Sequence, residues 1–177
     1  MFLERGYEST TTAEIAARAG VTERTFFRHF PDKREVLFDG EAEFRDALIG
    51  AAATAPAELG PLDALRFAFG SVEQILRENW SFAEPRAAVI AQTPALQERV
   101  LTKTAGLTTA MSGALRLRGE EAGTAALAAQ VGMAAFNRAA GLWAADKAVG
   151  LDAHLARAFD ELRGLSATPS RPCQNDG

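Results

Sequence analysis

Apolar residues recur every three or four positions along most of this chain, which is the spacing that places them on one face of an α-helix. The clearest stripe consists of Leu62, Leu65, Phe69, Val72 and Leu76. Alanine is abundant and β-branched residues are sparse, which also favours helices over strands. No segment is convincing as a strand, so we predict an all-α fold.

Capping residues, glycines and prolines divide this pattern into separate helices. Thr11 and Glu14 form a capping-box pattern, and Gly20 stands where a left-handed residue commonly ends a helix. Residues 1–5 are expected to be the end of a helix that has no beginning, either because the first helix is truncated or because the chosen start of the chain is late. The further helices that we predict cover residues 11–18, 23–29, 33–53, 62–79, 82–92, 94–117, 121–147 and 152–163.

Two short neighbouring helices, at residues 11–18 and 23–29, are joined by a turn that contains Gly20, which is the helix-turn-helix pattern. Phe26 and Phe30 are one turn apart and are expected to face the small core. The N-terminal side chains of such a second helix meet base edges in the major groove, where arginine can bind guanine and threonine can contact a thymine methyl. The side chains predicted to meet DNA on this basis are Thr22, Arg24, Thr25 and Arg28, with His29 and Lys33 beside the phosphates.

The charge distribution is compatible with this prediction, although the 177-residue chain has a net charge of −4. Residues 1–34 contain six arginines and lysines against five acidic residues, a net charge of +1, which leaves −5 for the remaining residues. A locally basic face on an acidic body can bind DNA. The alternative is a helical hairpin whose charged side chains are merely solvated.

The segment "GYESTTTAEIAARAGVTERTFFRHFPDKREVLF" resembles the DNA-binding segment of TetR-type transcriptional regulators. The resemblance implies a homodimeric repressor whose larger helical domain binds a small molecule and then releases a double-stranded operator. Carried over by position, Thr12 begins the scaffold helix, and His29 and Lys33 match positions that contact the DNA backbone. Phe27 stands where the family usually has tyrosine; its ring can pack on a sugar or a thymine methyl but cannot donate a hydrogen bond to phosphate.

The chain is expected to contain a DNA-binding domain at residues 1–40 and a ligand-binding and dimerisation domain at residues 41–165. The polar, proline-containing residues 166–177 are expected to be a disordered tail. No apolar run approaches the roughly 20 residues that cross a bilayer, and the N-terminus has no signal-peptide pattern, so we expect a cytoplasmic protein. With Cys173 as its single cysteine, the chain cannot form an internal disulfide.

The resemblance also implies that the last two long helices pair with their copies in a four-helix interface. Small residues there would let helices approach closely, and large apolar residues would supply buried area, although ordinary core packing within one chain explains each residue about as well. The predicted interface residues are Val131, Gly132, Ala135, Ala139, Leu142, Trp143, Leu155, Phe159 and Leu162.

A ligand cavity is expected in the larger domain, because the cores of helical bundles commonly hold ligands. Apolar residues would line it and a few polar residues would orient the ligand, unless those polar residues lie at the surface. The candidates are Gln74, Trp80, Phe82, Arg86, Val89, Met111, Gln130, Phe136 and Asn137. Residues 84–100 loosely resemble TetR-type regulators that sense fatty-acyl-CoA, and the alternative is an aromatic or multidrug ligand.

Enzymatic activity is not expected, and we predict no catalytic residue, metal site or cofactor. The two histidines, His29 and His154, are far apart in sequence, and neither a metal-ligand spacing nor a phosphate-binding glycine loop occurs. The alternative to a DNA-binding regulator is a helical ligand-binding or protein-interaction module that no longer binds DNA. The sequence leaves the operator, the effector and the choice between repressor and activator open.

Overall fold

The computed structural model describes residues 1–166, apart from the side chains of Trp80 and Ser166. Within this range the chain forms α-helices, one short 3-10 helix and no strand, which confirms the predicted all-α fold. The predicted tail lies outside the described residues from residue 167 onward. The α-helices are α1 Phe2–Arg5, α2 Thr12–Arg18, α3 Glu23–His29, α4 Glu41–Thr54, α5 Pro61–Ser71, α6 Glu73–Glu78, α7 Trp80–Ala91, α8 Pro94–Leu117, α9 Ala122–Ala145 and α10 Leu151–Ser166, and the 3-10 helix is Glu35–Phe38.

The chain divides into two compact units, each built from two segments of sequence. The first unit contains residues 1–47 and 74–107. The second contains residues 48–73 and the described residues from 108 onward. The division that we predicted between residues 40 and 41 remains a prediction.

In the first unit, the N-terminal helices share a core with α7 and the start of α8. Tyr7, Val89 and Leu96 are buried at its centre. Partly buried apolar side chains pack around them, and these are Phe2, Leu37, Phe38 and Ile90. The helix-turn-helix segment is therefore supported by residues that lie more than fifty positions later in sequence.

The core of the second unit lies where α9 packs against α5 and α10. The ring of Phe69 stacks on Phe136 with centroids 4.6 Å apart, and Phe159 lies 6.3 Å from Phe69. A Cβ atom placed on Gly132 would lie 2.7 Å from a methyl carbon of Leu65. A glycine is therefore needed at this point for the close approach of α9 to α5.

This core corrects part of the predicted dimer interface. Six of the nine residues are buried inside a single chain, because the small residues of α9 let α5 and α10 of the same chain approach it. These six are Gly132, Ala135, Ala139, Trp143, Leu155 and Phe159. Val131 and Leu162 are half-buried and Leu142 is exposed, and their contact with a second copy remains a prediction.

Two of the predicted helices are interrupted. The helix expected at 33–53 is a 3-10 turn followed by α4, because Gly40 has a φ of +79°, which a helix does not allow. The helix expected at 62–79 is divided at Val72 into α5 and α6. Beside that break the hydroxyl of Ser71 donates to the carbonyl of Ala68 at 2.7 Å, a local hydrogen bond of the kind that competes with helix continuation.

Arg118 joins the end of α8 to the loop between α4 and α5. Its guanidinium donates to the carbonyls of Ala55, Pro56 (2.8 Å) and Leu59 (3.1 Å). The loop carbonyls are thereby satisfied by a side chain about sixty residues away. Across residues 1–166, none of the helices combines the length and the apolar character that a membrane crossing requires.

Candidate nucleic-acid interface

Helix α2 begins and ends with the hydrogen bonds that its sequence predicts. The Thr11 hydroxyl accepts from the backbone N–H of Glu14 at 3.2 Å, and the Glu14 carboxylate accepts from the backbone N–H of Thr11 at 2.9 Å. At the other end Gly20 has a φ of +70°, and the N–H of Val21 donates to the carbonyl of Ala16 at 3.0 Å. The predicted capping box and left-handed glycine are both confirmed.

Helix α3 packs against α2, and the phenylalanines on one of its faces point toward the core. Thr22 caps it by accepting from the N–H of Thr25 at 3.1 Å. Phe26 is buried, and its ring lies 5.5 Å from the half-buried ring of Phe30. Both phenylalanines therefore face the core as predicted, which fixes the rotation of α3 about its own axis and directs the opposite side outward.

The outward side of α3 presents Arg24, Phe27 and Arg28. Arg24 and Arg28 are four residues apart and thus on one face, and both are exposed. The ring of Phe27 is 49% exposed and meets Phe26 edge to face at 5.4 Å. Among the acidic groups of residues 1–166, none lies within ion-pair distance of either arginine. This face can therefore offer two guanidinium groups to an anionic partner.

The other arginines near α2 and α3 are paired with carboxylates. Nη1 of Arg5 lies 3.1 Å from Glu14, and Nη1 of Arg18 lies 3.4 Å from Glu4. These are exposed pairs of small energetic value. Glu4 and Glu14 thus neutralise the arginines beside the face, whereas Arg24 and Arg28 on the face have no acidic partner among the described residues.

Arg34 is paired with Asp32, which begins the segment that follows α3. Its Nε donates to Asp32 Oδ2 at 2.9 Å. The side-chain hydrogen bond from Arg34 lowers the pKa of the Asp32 carboxyl, against a smaller opposing effect of burial. Asp32 therefore stays ionised at neutral pH and keeps Arg34 beside it.

The three threonines predicted to meet DNA lie at the start of the two helices. The Thr12 hydroxyl donates to Glu23 Oε1 at 2.6 Å, which ties α2 to the first turn of α3. The hydroxyls of Thr22 and Thr25 lie 3.0 Å apart. Sequence reasoning missed Glu23, whose exposed carboxylate adds a negative charge next to the arginine face. The sequence signal for Glu23 was its spacing, because a residue four positions before Phe27 lies on the same face of the helix.

His29 lies at the C-terminal end of α3, exposed, with Nε2 3.5 Å from Nη2 of Arg28. The structure thus brings together Thr12, Thr22, Thr25 and His29 around the arginine face. Their contacts with DNA remain predictions.

Lys33 is placed differently from the prediction. Its Nζ donates to the backbone carbonyls of Tyr7 (2.9 Å), Thr10 (3.2 Å) and Glu8 (3.3 Å). An ammonium group has three donors, and in this arrangement three carbonyl oxygens of the same chain lie within hydrogen-bond distance of it. The contact of Lys33 with phosphate remains a prediction.

The predicted ligand residues are distributed over both units. Val89, Met111 and Phe136 are buried, whereas Gln74, Phe82, Arg86, Gln130 and Asn137 are exposed; the side chain of Trp80 lies outside the described residues. Gln74 donates to Glu78 at 2.8 Å. A groove of about 740 Å³ lies between Ile49, Gly113 and Leu117 in the second unit, but none of the predicted ligand residues lines it. The ligand site remains a prediction.

Within residues 1–166, no group of three histidine, cysteine or acidic side chains is arranged so that it could hold a metal ion. The carboxylates of Glu4, Glu14 and Asp32 are paired with arginines, and that of Glu23 accepts a hydrogen bond from the Thr12 hydroxyl. The outward face of α3 itself presents two cationic side chains and one aromatic side chain.

Comparison with known proteins agrees with this geometry. Residues 1–39 match the family model of bacterial regulatory proteins of the tetR family, and residues 59–166 match the model of the MftR C-terminal domain. The HTH-type transcriptional regulator TcmR of Streptomyces glaucescens is 42% identical over 79 residues, which cover 45% of this chain and 35% of TcmR. The chain thus spans about a third of the length of this curated relative.

Two solved structures have a similar fold. PfmR, a TetR family regulator from Thermus thermophilus, is 24% identical, with 93% of each chain covered and a TM-score of 0.50. FadR of Thermus thermophilus, a TetR family repressor solved with lauroyl-CoA, is 21% identical, with 97% of this chain and 92% of FadR covered and a TM-score of 0.58. At these identities the likeness shows the fold alone. The family models show that the chain belongs to the TetR family.

Proposed function

We propose that this TetR-family protein is a DNA-binding transcriptional regulator, and specifically a repressor that a small amphipathic ligand releases from its operator. The observation that carries the proposal is the outward face of α3, where Arg24 and Arg28 are exposed without acidic partners beside an exposed Phe27. Neighbouring cations are neutralised, so the positive charge is concentrated where a recognition helix meets the major groove. A regulator of this kind acts in the cytoplasm, where bacterial DNA is.

The chemistry of this face suits direct contact with bases. A guanidinium group can donate two parallel hydrogen bonds to guanine, and each such contact discriminates against a wrong base by about 1–3 kcal/mol. A phenyl ring can pack on a thymine methyl or a sugar. The threonine hydroxyls and His29 would fix the position of the helices on the phosphate backbone.

The test is binding of the full chain to a labelled duplex from upstream of its own coding region, measured by fluorescence anisotropy at several salt concentrations. Arg24→Ala/Arg28→Ala should weaken binding roughly five- to hundredfold for each arginine removed. The charge-matched control is Arg45→Ala/Arg66→Ala, whose arginines pair with Asp46 and Asp152 elsewhere in the chain. Equal losses in both double variants would contradict the proposal. No binding by the wild type at low salt would favour the ligand-binding or interaction module instead.

We propose that the protein acts as a homodimer, since two-fold symmetry places two recognition helices one DNA turn or a multiple apart. Support comes from the exposed face of α9. Leu127 is 62% exposed, and at 3.6 residues per turn it shares one face with Val131 and Leu142. Arg138, on the same face, bonds Glu161 of α10 at 2.7 Å, so the face continues onto α10.

The proposed effector combines an apolar chain with an anionic group, as an acyl-CoA does; an aromatic acid is the alternative. Phe82 is 73% exposed on α7, and Arg86 follows it by one turn on the same face. This pair offers an apolar surface and a cation to one ligand. A lauroyl-CoA molecule is bound in the FadR structure, which has the same fold.

The effector proposal is tested by the melting temperature of the protein with lauroyl-CoA or with coenzyme A alone. Lauroyl-CoA should raise the melting temperature and weaken operator binding, and coenzyme A alone should do neither. Arg86→Ala should reduce both effects, whereas Arg157→Ala, an exposed arginine on α10, should leave them unchanged. An equal response to coenzyme A would contradict the need for the apolar chain.

A further inference from the structure

We propose that Lys33 is a positioning residue for DNA binding, which holds the loop between α1 and α2 in shape and does not itself bind phosphate. This inference rests on the proposed function. It assigns a role to a lysine that lies immediately after the helix-turn-helix but contacts the residues immediately before it.

The geometry around the ammonium group carries the inference. Three carbonyl oxygens, from Tyr7, Glu8 and Thr10, converge on Nζ at 2.9, 3.3 and 3.2 Å. Nζ also lies 4.3 Å from the centroid of the Tyr7 ring, within the distance of a cation–π contact. Since all three donors are occupied and one side faces an aromatic ring, the group is committed to this loop.

The loop needs such a cation. Gly6 turns the chain with a φ of +84°, and the hydroxyl of the buried Thr10 donates back to the Gly6 carbonyl at 2.8 Å. This turn points three carbonyl dipoles toward one place, where they repel one another unless a positive charge lies among them. Lys33 supplies that charge from a position 23 to 26 residues later.

The loop that Lys33 contacts leads directly into the DNA-binding helices. The residue after Thr10 is Thr11, which caps α2, and α2 supports the recognition helix α3. Lys33 itself follows α3 after Pro31. One side chain therefore connects both ends of the α2–α3 pair and sets its position relative to α1.

The salt dependence of DNA affinity distinguishes a lysine that contacts phosphate from a lysine that positions the DNA-binding helices. A phosphate contact releases counterions, so its loss reduces the slope of log K against log salt by about 0.9. A positioning residue changes affinity by about the same factor at every salt concentration. Lys33→Met removes the charge, whereas Lys33→Arg keeps it but cannot donate to three oxygens that converge on one point, because its donors lie in a plane.

The experiment measures binding of wild type, Lys33→Met and Lys33→Arg to the upstream duplex between about 50 and 300 mM salt, roughly the range over which such slopes are determined. We expect both variants to lose at least about tenfold in affinity with parallel slopes, and to melt at lower temperature. A slope reduced by about one contact in Lys33→Met, with wild-type affinity in Lys33→Arg, would overturn the inference.

A second measurement uses only the wild type, in case the variants fail to fold. Acetylation of lysines is followed by mass spectrometry with and without the duplex, with Lys147 of the second unit as the reference. Lys33 should react slowly in both conditions; rapid reaction that slows only on adding DNA would show a phosphate contact and overturn the inference. Absence of any DNA binding by the wild type would remove the proposed function, and the role of Lys33 with it, whereas binding with a phosphate-type response would remove only the role of Lys33.

Discussion

Arg99 on α8 binds Glu35, which lies in the 3-10 turn after the helix-turn-helix: its Nε and Nη2 both lie 2.8 Å from Glu35 Oε1. Lys103, one turn further along α8, contacts the other oxygen of Glu35 at 3.1 Å and also pairs with Glu41 at the start of α4. Glu35 is largely buried. The segment that follows the recognition helix is therefore tied to α8 by ion pairs, and it does not continue from Lys33 into α4 as one unbroken helix.

These ion pairs predict that Arg99 couples effector binding to operator affinity. A ligand changes DNA affinity only if it binds two conformations of the protein with different affinity. The ligand site must then be physically connected to the DNA-binding helices. Arg99→Ala should leave operator affinity without ligand nearly unchanged but reduce the ligand-induced loss by about 0.5–2 kcal/mol, the range for residues along a coupling network. Operator affinity with and without lauroyl-CoA measures this. Arg45→Ala is the control, and an unchanged response in Arg99→Ala would contradict the connection.

Gly132 and Gly106 predict opposite effects of the same substitution. A Cβ on Gly132 would lie 2.7 Å from a methyl carbon of the fully buried Leu65, whereas nothing lies within 4 Å of a Cβ on Gly106 in α8. Gly132→Ala should reduce the free energy of unfolding by about 1–3 kcal/mol through overpacking. Gly106→Ala should increase it by about 0.4–1 kcal/mol through reduced freedom of the unfolded chain. Urea unfolding compares the two, and equal effects would contradict the close approach of α9 to α5.

Phe27→Tyr should strengthen DNA binding. The ring is half exposed on the outward face of α3, so a hydroxyl there can reach a phosphate oxygen without disturbing the core. A hydrogen bond to a charged group contributes about 1.5 kcal/mol, which corresponds to roughly tenfold in affinity. Phe67→Tyr adds a hydroxyl to a similarly exposed ring on α5 and should change nothing. A gain in both variants, or in neither, would argue against a DNA contact at residue 27.

The exposed face of α9 predicts a dimer that charge can disrupt. Leu127→Arg/Leu142→Arg should convert the protein to a monomer, as measured by sedimentation equilibrium, and greatly weaken operator binding because a single recognition helix then acts alone. Leu117 is 84% exposed at the end of α8 and gives a matched control, Leu117→Arg. A dimer that persists in the double variant would place the interface on another surface.

Acid should weaken the cap of α2. Backbone and side-chain hydrogen bonds from Thr11 lower the pKa of Glu14 below its ordinary value, and Arg5 adds to this. Because the folded-state pKa is depressed, the stabilisation is present above the ordinary carboxyl pKa and is lost as pH falls through the folded-state value. Glu14→Gln should therefore melt at a lower temperature than wild type at pH 7, and the difference should shrink below about pH 4. A difference that does not shrink on acidification would contradict this role of the Glu14 carboxylate.

Local features of the chain were sufficient to predict the two helices of the helix-turn-helix, α2 and α3. The capping box of Thr11 and Glu14, the left-handed Gly20 and the inward pair Phe26 and Phe30 involve residues within about one turn of each other. Such short-range constraints act the same way in almost any surroundings. The all-α fold, the helix-turn-helix and the outward direction of Arg24 and Arg28 therefore followed from the sequence alone.

The tertiary structure decided which distant groups these elements meet. Small residues occur around most of α9, so its pattern does not show whether Gly132 and Ala139 face α5 and α10 of the same chain or a second copy. Lys33 has the charge and the sequence position expected of a phosphate contact. Its Nζ nevertheless donates to backbone carbonyls more than twenty residues earlier in the chain. Periodicity and capping record only neighbours along a helix, whereas packing and the destination of a long charged side chain depend on which surfaces the folded chain brings together.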